Sequence, residues 1–520
     1  MHTARLKKIL FWLLIAGALF VCGNATNKAI DNKGGKPNII FLFADDHSYS
    51  AVNALGNSEV YTPNLDHLKS SGITFSHSYN MGAWNGAVCI ASRAMMNTGR
   101  TVWHAQEFQN HQEELYERGE LWGQLMQKAG YETYMAGKWH VNTDAEKVFN
   151  HVVNVRPGMP HDAWNKKEVM KKLAKIVKPH STEVPEGYNE VMPFGYNRPL
   201  SPADTAWKPW DKSLGGYWEG GKHWSKIVGD DAIAFLDEAK NDDKPFFMYL
   251  AFNAPHDPRQ SPKEFIDRYP LDSISLPEAY LPEYPYRGKE TGLYFGQRDE
   301  SVAPYPRSEY AVKVHLQEYY ATITHMDQQI GRILEALEKS GKADNTYIIY
   351  TADHGLAVGK HGLMGKQNMY DHSVRVPLFI VGPGVPKNKT IDADVYLQDI
   401  MATALDIAGL EKPEYIEFNS FMPLVNGERK DSFYPAVYGA YREHQRMVRA
   451  DGFKLIVYPK LKRIRLFYLT SDPKEIDDLA TNADYDSVKI KLFKRLIVLQ
   501  KEMDDPLDLT EVFPRIKFSE

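Results

Sequence analysis

Two apolar runs constrain this chain most: Asn38-IIFLF-Ala44, which ends in Asp45-Asp46-His47, and Thr346-YIIY-Thr351, which ends in Ala352-Asp353-His354-Gly355. A run that is apolar at nearly every position has no side left for water. It fits a strand covered on both faces, as in a parallel sheet packed between helices. Pro245-FFMYLA-Phe252, followed by Asn253-Ala-Pro-His256, has the same character, and so does Val376-PLFI-Val381. YETYMAG, leading into Gly137-Lys138-Trp139-His140, is a further strand, and Ile73–Tyr79 reads as one short alternating strand.

Helices fall between these strands. Thr62 caps the first, with Pro63 at its opening position and Gly72 as its stop. Leu121–Ala129, Asp230–Ala239, Glu309–Lys339 and Gln398–Ala408 follow. The alternation predicts an α/β fold, a large mixed and mostly parallel sheet sandwiched by helices over residues 36–410. Gly409–Pro413 marks a boundary, and 411–520 reads as a smaller α+β subdomain built on an antiparallel sheet. Its strands are Phe453–Tyr458 and Arg465–Leu469, covered by helix Val488–Met503. Segments 141–230 and 258–308 are rich in proline and aromatics, lack a period and read as loops decorating the sheet.

In such sheets ligands bind beyond the carboxyl ends of the strands, where Asp45, Asp46, Asp353, His354 and His256 lie. Three carboxylates meeting there repel one another unless a cation sits between them, and oxygen ligands favour a hard ion, calcium or magnesium. Taken singly, each acidic strand end is as readily a turn or helix cap. Lys138, His140, His256, His361 and Lys366 follow strand ends too, and cations round a metal suit an oxyanion such as sulfate or phosphate.

Export bears on the cysteines. Arg5, Lys7 and Lys8 precede the apolar ILFWLLIAGALFV, so residues 1–25 read as a signal peptide, too short for a stable membrane span. Cleavage after Ala25 gives a periplasmic or secreted protein; lipidation at Cys22 gives an envelope-anchored one. Either way Cys89 is the one cysteine left, although exported proteins usually pair theirs. It is then a buried core residue, a ligand or a chemically altered group. In VCIASRAMMNTGR, Cys89 opens a helix, Arg93 shares its face and Gly99 caps its end. Helix terminus and guanidinium both lower a thiol's pKa. A thiolate is a poor neighbour for a hard cation, and an oxygen nucleophile made from the cysteine removes that conflict. The net charge of −5 gives no sign of a nucleic-acid surface.

These residues resemble the type I, formylglycine-dependent sulfatases of the alkaline-phosphatase-like superfamily. The marker Cys-x-Pro/Ala-x-Arg with a following Thr-Gly-Arg stands here as Cys89-Ile-Ala-Ser-Arg93 and Thr98-Gly-Arg100. ADDH (44–47), TPNLDHLKSSGITFSHSYN (62–80), GKWH (137–140), APH (254–256), TADHG (351–355), HGLMGKQNMYDHSVRVP (361–377) and LFYLTSDPKEIDDLA (466–480) follow in family order. The resemblance implies that a maturation enzyme converts Cys89 to formylglycine. It implies that Asp45, Asp46, Asp353 and His354 hold calcium, in preference to magnesium, together with residue 89. Arg93 would orient the nucleophile, and Lys138 and Lys366 would clamp sulfate. His256 would protonate the departing alcohol, and His140 would take a proton from the hydrated aldehyde. Two positions depart from the commonest pattern: His354 replaces asparagine, as in members resembling the iduronate and choline types, and Ala91 replaces proline.

The motif fixes the reaction and leaves the alcohol open. Export and aromatic loops favour a sulfated polysaccharide or its oligosaccharides, with His104, Arg156, Arg198, Trp207, His223, Arg259 and His361 as candidate sugar contacts. The alternatives are an aryl or choline sulfatase, a phosphodiester or phosphonate monoester hydrolase of the same superfamily, and a secreted carbohydrate-binding protein with a decayed site.

Overall fold

A computed structural model describes residues 35–178 and 183–514; the expected signal peptide lies outside them. Eight strands form the main sheet in the order Lys389–Ile391, Ile73–Phe75, Leu378–Val381, Thr346–Ala352, Asn38–Ala44, Phe246–Ala251, Glu132–Lys138, His151–Arg156. Only Leu378–Val381 runs against the others. Asn38–Ala44 and Thr346–Ala352, buried at every position, lie side by side at the centre. Burying each large apolar side chain contributes roughly 1.5–3 kcal/mol, which is why all-apolar strands go to the middle. Helix Trp224–Ala239 and the 31-residue helix Glu309–Lys339 pack together beside the sheet. Ser308 caps the long helix by accepting from Ala311 N–H at 3.2 Å.

The smaller sheet is antiparallel through Val437–Tyr441, Gln445–Ala450, Phe453–Tyr458 and Arg463–Tyr468. Its fifth strand, Gly82–Ala83, comes from far earlier in the chain and pairs parallel with Val437–Tyr441. Helix Asp486–Glu502 covers it, and Arg446 binds Asp505 through two bonds of 2.6 and 2.7 Å.

Some sequence expectations change. Ile73–Tyr79 is two strands: Ser78–Tyr79 leaves the main sheet and pairs with Arg375–Val376 and Val395–Tyr396. Within the segment read as loops, His151–Arg156 is the edge strand of the main sheet. It is half exposed and polar enough to hide from a search for apolar runs. The helix expected at Asp230 begins at Trp224, capped by His223, whose Nδ1 accepts from Ser225 N–H at 3.1 Å.

Candidate functional site

Register brings the acids together. Ala44 pairs with Ala352, so Asp45 and Asp353 leave the sheet at the same level, and Asp353 N–H donates to the Ala44 carbonyl at 3.1 Å. Asp46 turns into the left-handed region at φ 69°, and its N–H donates to Asp353 Oδ1 at 3.2 Å. On the other side, strand Glu132–Lys138 shifts register between Ala136 and Gly137, with Gly137 at φ 93°. Such a bulge re-aims the residues just beyond it, which here include Lys138 and His140.

Helix Val88–Thr98 carries Cys89 in its first turn and ends at Gly99, φ 68°, as the sequence predicts. Arg93 lies on the same helix but does not reach outward. Its Nε donates to Asp353 Oδ2 at 3.0 Å, its Nη1 donates to the Lys138 carbonyl at 2.8 Å, and the guanidinium sits over Phe43. Lys138 donates to Asp45, and Lys366 donates to both oxygens of Asp46 at 2.8 and 3.0 Å. His140 Nδ1 is 3.4 Å from Cys89 Sγ, and His256 Nε2 is 3.8 Å from Asp46 Oδ2.

The donor set suits a hard cation. Ligand atoms of Asp45, Asp46, Asp353 and His354 all lie within 4.8 Å of one another, as do those of Asp45, Cys89 and His354. Asp45 Oδ1 is buried with no hydrogen-bond partner. His354 Nδ1 lies 3.0 Å from the Gly355 carbonyl and 3.1 Å from Asp46 Oδ1, and its Nε2 lies 3.6 Å from Asp353 Oδ1, so both ring nitrogens face the acid cluster.

Electrostatics agree. Burial, and then repulsion from Asp353, push the Asp45 carboxyl well above its ordinary range although Lys138 opposes them. Burial alone would raise Asp353 too, but His354 and Arg93 hold it far below. Burial opposes a charge on His354, which Asp353 and Asp46 nevertheless hold above its usual value. Burial also raises the Cys89 thiol, yet Lys138, His140 and Lys366 outweigh it and bring the thiol well below its ordinary value.

Cys89, His140, His256 and Lys366 line a cavity of about 630 Å³. Asn85, Trp164, Lys166, Tyr294, Arg298 and Arg442 are also in its wall. None of these six stands out in the sequence, because five come from aperiodic loops and a hairpin turn and Lys166 only opens the short helix Lys166–Leu173. Their signal was only the aromatic enrichment of those loops.

The seven candidate sugar contacts lie elsewhere. His104 bonds Glu417 and Asp504 at 2.6 and 2.8 Å. Arg156 pairs with Glu219 and covers Trp224. His223 serves as the helix cap described above, and His361 donates to the Lys474 carbonyl while stacking on Tyr370. Arg198, Trp207 and Arg259 do meet, in a second cavity.

Comparison with known proteins fits this geometry. Residues 37–410 match the Sulfatase family model, and 359–502 match the model described as N-sulphoglucosamine sulphohydrolase, C-terminal. An arylsulfatase of Clostridium perfringens is 29% identical over 488 residues, covering 90% of this chain and 95% of that protein. An N-acetylglucosamine-6-O-sulfatase of Bacteroides thetaiotaomicron is 26% identical over 566 residues, covering 95% and 91%. A solved structure holding D-glucosamine-2-N,6-O-disulfate as substrate superposes with a TM-score of 0.64 at 23% identity, covering 91% of this chain and 99% of that one.

Proposed function

The chain belongs to the sulfatase family, and from that premise we propose that it releases inorganic sulfate from a sulfated carbohydrate, a polysaccharide or an oligosaccharide derived from one. The observation that carries the reading is the meeting of Cys89 with Lys138, His140 and Lys366 at a buried carboxylate cluster under an open, aromatic-walled cavity. Formylglycine made from Cys89 by a maturation enzyme would supply an oxygen nucleophile, and calcium held by Asp45, Asp46, Asp353 and His354 would polarise sulfate oxygens.

The chain's own residues divide the remaining work. Lys138 and Lys366 are buried cations beside the acids, placed to bind sulfate oxygens and the negative charge that grows on them. His256 Nδ1 donates to the Asp257 carbonyl at 2.5 Å, so Nε2 is the atom left to carry a proton to the departing sugar oxygen. Burial and Lys366 depress His256, making its protonated form a stronger acid. His140, with Nδ1 at 3.4 Å from Sγ, is positioned to take a proton from the group at position 89. Arg93 acts through others: it joins the nucleophile helix to Asp353 and to the strand bearing Lys138.

The substrate class is supported by Trp164 and Tyr294 as apolar walls, by Lys166 and Arg442 as cations at the same cavity, and by the sugar sulfates named for the relatives. The leader favours a periplasmic or secreted site of action. No helix among the described residues is long and apolar enough to cross a membrane.

The test is chromatographic detection of free sulfate from a panel of sulfated mono- and oligosaccharides, using protein matured in a competent host. Release from at least one sugar is expected, with 4-nitrophenyl sulfate cleaved in preference to an aryl phosphodiester. No release from any sugar would refute the substrate class, and a strong preference for the diester would refute the sulfatase reading. The peptide containing Cys89 should show the mass of the aldehyde or its hydrate.

A further inference from the structure

Segment Gly158–Lys166 lines two cavities. Gly158, Met159, Trp164 and Lys166 face the one at Cys89, whereas His161, Asp162 and Ala163 face a second of about 270 Å³. Arg298, from the first wall, bonds Asp257 at 2.5 Å and lies 3.5 Å from Asp162, both in the second wall. The two cavities therefore share one partition, next to His256.

Arg259 is the unusual member of the second wall. It is 1% exposed, and among the described residues it forms no ion pair. Its Nη1 donates to His315 Nδ1 at 2.7 Å, and its Nε has no partner. His315 Nε2 donates to the Arg198 carbonyl at 2.8 Å, so its Nδ1 accepts and the ring is neutral. Burial and Arg198 keep that ring well below its ordinary pKa. Arg198, by contrast, is satisfied by two 2.7 Å bonds to Glu318. Asp257 shares the wall and is near enough for Arg259 to help lower its carboxyl, but its hydrogen bond goes to Arg298 and none goes to Arg259. A buried guanidinium without a paired anion is costly, and an incoming oxyanion relieves that cost.

The rest of the cavity suits a sugar ring. Phe194, Tyr196 and Trp207 give it apolar surface, and the buried Trp207 Nε1 also lacks a partner. We propose that this second cavity binds a sugar residue through an anionic substituent, a carboxylate or a sulfate, with Arg259 as its counter-charge. That the anion is carried on a sugar rests on the proposed function; that the cavity takes an oxyanion does not.

The test uses the full, matured protein and saturation-transfer NMR with D-glucuronate, D-glucose 6-sulfate and neutral D-glucose. Arg259→Met removes the charge, and Ala163→Phe adds a large ring at an exposed loop position of the same wall. Glucuronate should bind the wild type and glucose should not, and each variant should weaken glucuronate at least roughly tenfold. Glucose 6-sulfate is scored only by the difference between wild type and Ala163→Phe, since the Cys89 cavity also takes sulfate. The larger of the two losses identifies the preferred anion. Ala163→Phe should hydrolyse 4-nitrophenyl sulfate like the wild type.

Equal binding of glucuronate and glucose, or unchanged glucuronate binding in Ala163→Phe, overturns the proposal. If Arg259→Met does not fold, Ala163→Phe decides alone. Charged sugars bound at this cavity by a protein that cleaves no sulfate ester would leave the site standing and remove the sulfatase reading instead.

Discussion

At the scale of single residues, the site is held by backbone conformations that side chains rarely choose. Asp46 and His140 both lie in the left-handed region, at φ 69° and 57°. Non-glycine residues stay there only when their surroundings fix them, at about 1–3 kcal/mol each. For His140 the fixing neighbour is Gly158: a methyl group at that position would lie 2.2 Å from the imidazole. Gly158→Ala should therefore displace His140, lowering kcat at least about tenfold while the thermal midpoint moves little. A large loss of midpoint, or an unchanged kcat, would count against this role for Gly158. Lys138→Met is a harsher change. It removes a cation expected to meet sulfate charge and leaves Asp45 without its partner. A fall in kcat of about 10²–10³ is expected, measured with 4-nitrophenyl sulfate at saturating calcium.

At the scale of elements, strand Glu132–Lys138 delivers its lysine through the bulge at Gly137. A Cβ there would meet the Ala251 carbonyl oxygen at 1.9 Å, and that atom belongs to the neighbouring strand. Gly137→Ala should cost more than about 3 kcal/mol, read as the urea midpoint, with activity lost alongside. Helix Trp224–Ala239 makes a different prediction through its cap. Burial lowers His223 to about 3, below the roughly 6.5 of an unfolded histidine. A folded pKa below the unfolded one means that stability is full above pH 6.5 and declines as pH falls towards 3, by about 1.4 kcal/mol per pKa unit. The neighbouring His325, depressed well below its ordinary value mainly by burial, acts in the same direction. His223→Asn keeps an acceptor for Ser225 N–H and removes one titration. Its urea midpoint should fall less steeply than wild type between those pH values.

These elements also mark how far the sequence could be read. Strands buried on both faces declare themselves, so Asp45, Asp46, His256 and Asp353 were found as groups at their ends. The helix of Cys89 was legible from its spacing and its glycine cap. His151–Arg156 was not, because an edge strand half in water carries no apolar run. The cavity walls are hidden for a related reason: Trp164 and Tyr294 are placed by long-range packing of loops, which leaves no local period. Arg156 and His104 were attractive as charged or aromatic loop residues, yet each is engaged by a neighbouring carboxylate.

At the scale of the whole molecule, the chain reads as two parts, 36–410 and 411–520, but the Cys89 helix is anchored in both. Tyr79, Met81, Val88, Ala91 and Met95 share one apolar core with Tyr438, Met447, Val448, Leu455 and Phe467 of the C-terminal sheet. Gly82–Ala83 is a strand of that sheet, and a Cβ on Gly82 would meet the Ala440 carbonyl oxygen at 1.9 Å, so the strands approach closely. Trp103 donates to Tyr438 Oη at 2.9 Å, and Glu417 accepts from Thr101 N–H at 2.7 Å just beyond the marker Thr98-Gly99-Arg100. Cutting after residue 410 would therefore expose the inner face of the Cys89 helix and leave Gly82–Ala83 unpaired. The main-sheet core around Trp122, Phe247 and Phe379 would lose Ile416, Phe421, Met422, Leu424 and Val425 from its edge but keep its buried strands, so the fragment is expected to retain secondary structure and lose the site. A 36–410 fragment is expected to show native-like far-UV circular dichroism, weakened near-UV signal and no sulfate release. Adding 411–520 in trans should restore activity if the shared core is what orders the helix. An active 36–410 fragment would show that the helix of Cys89 is positioned by the main sheet alone.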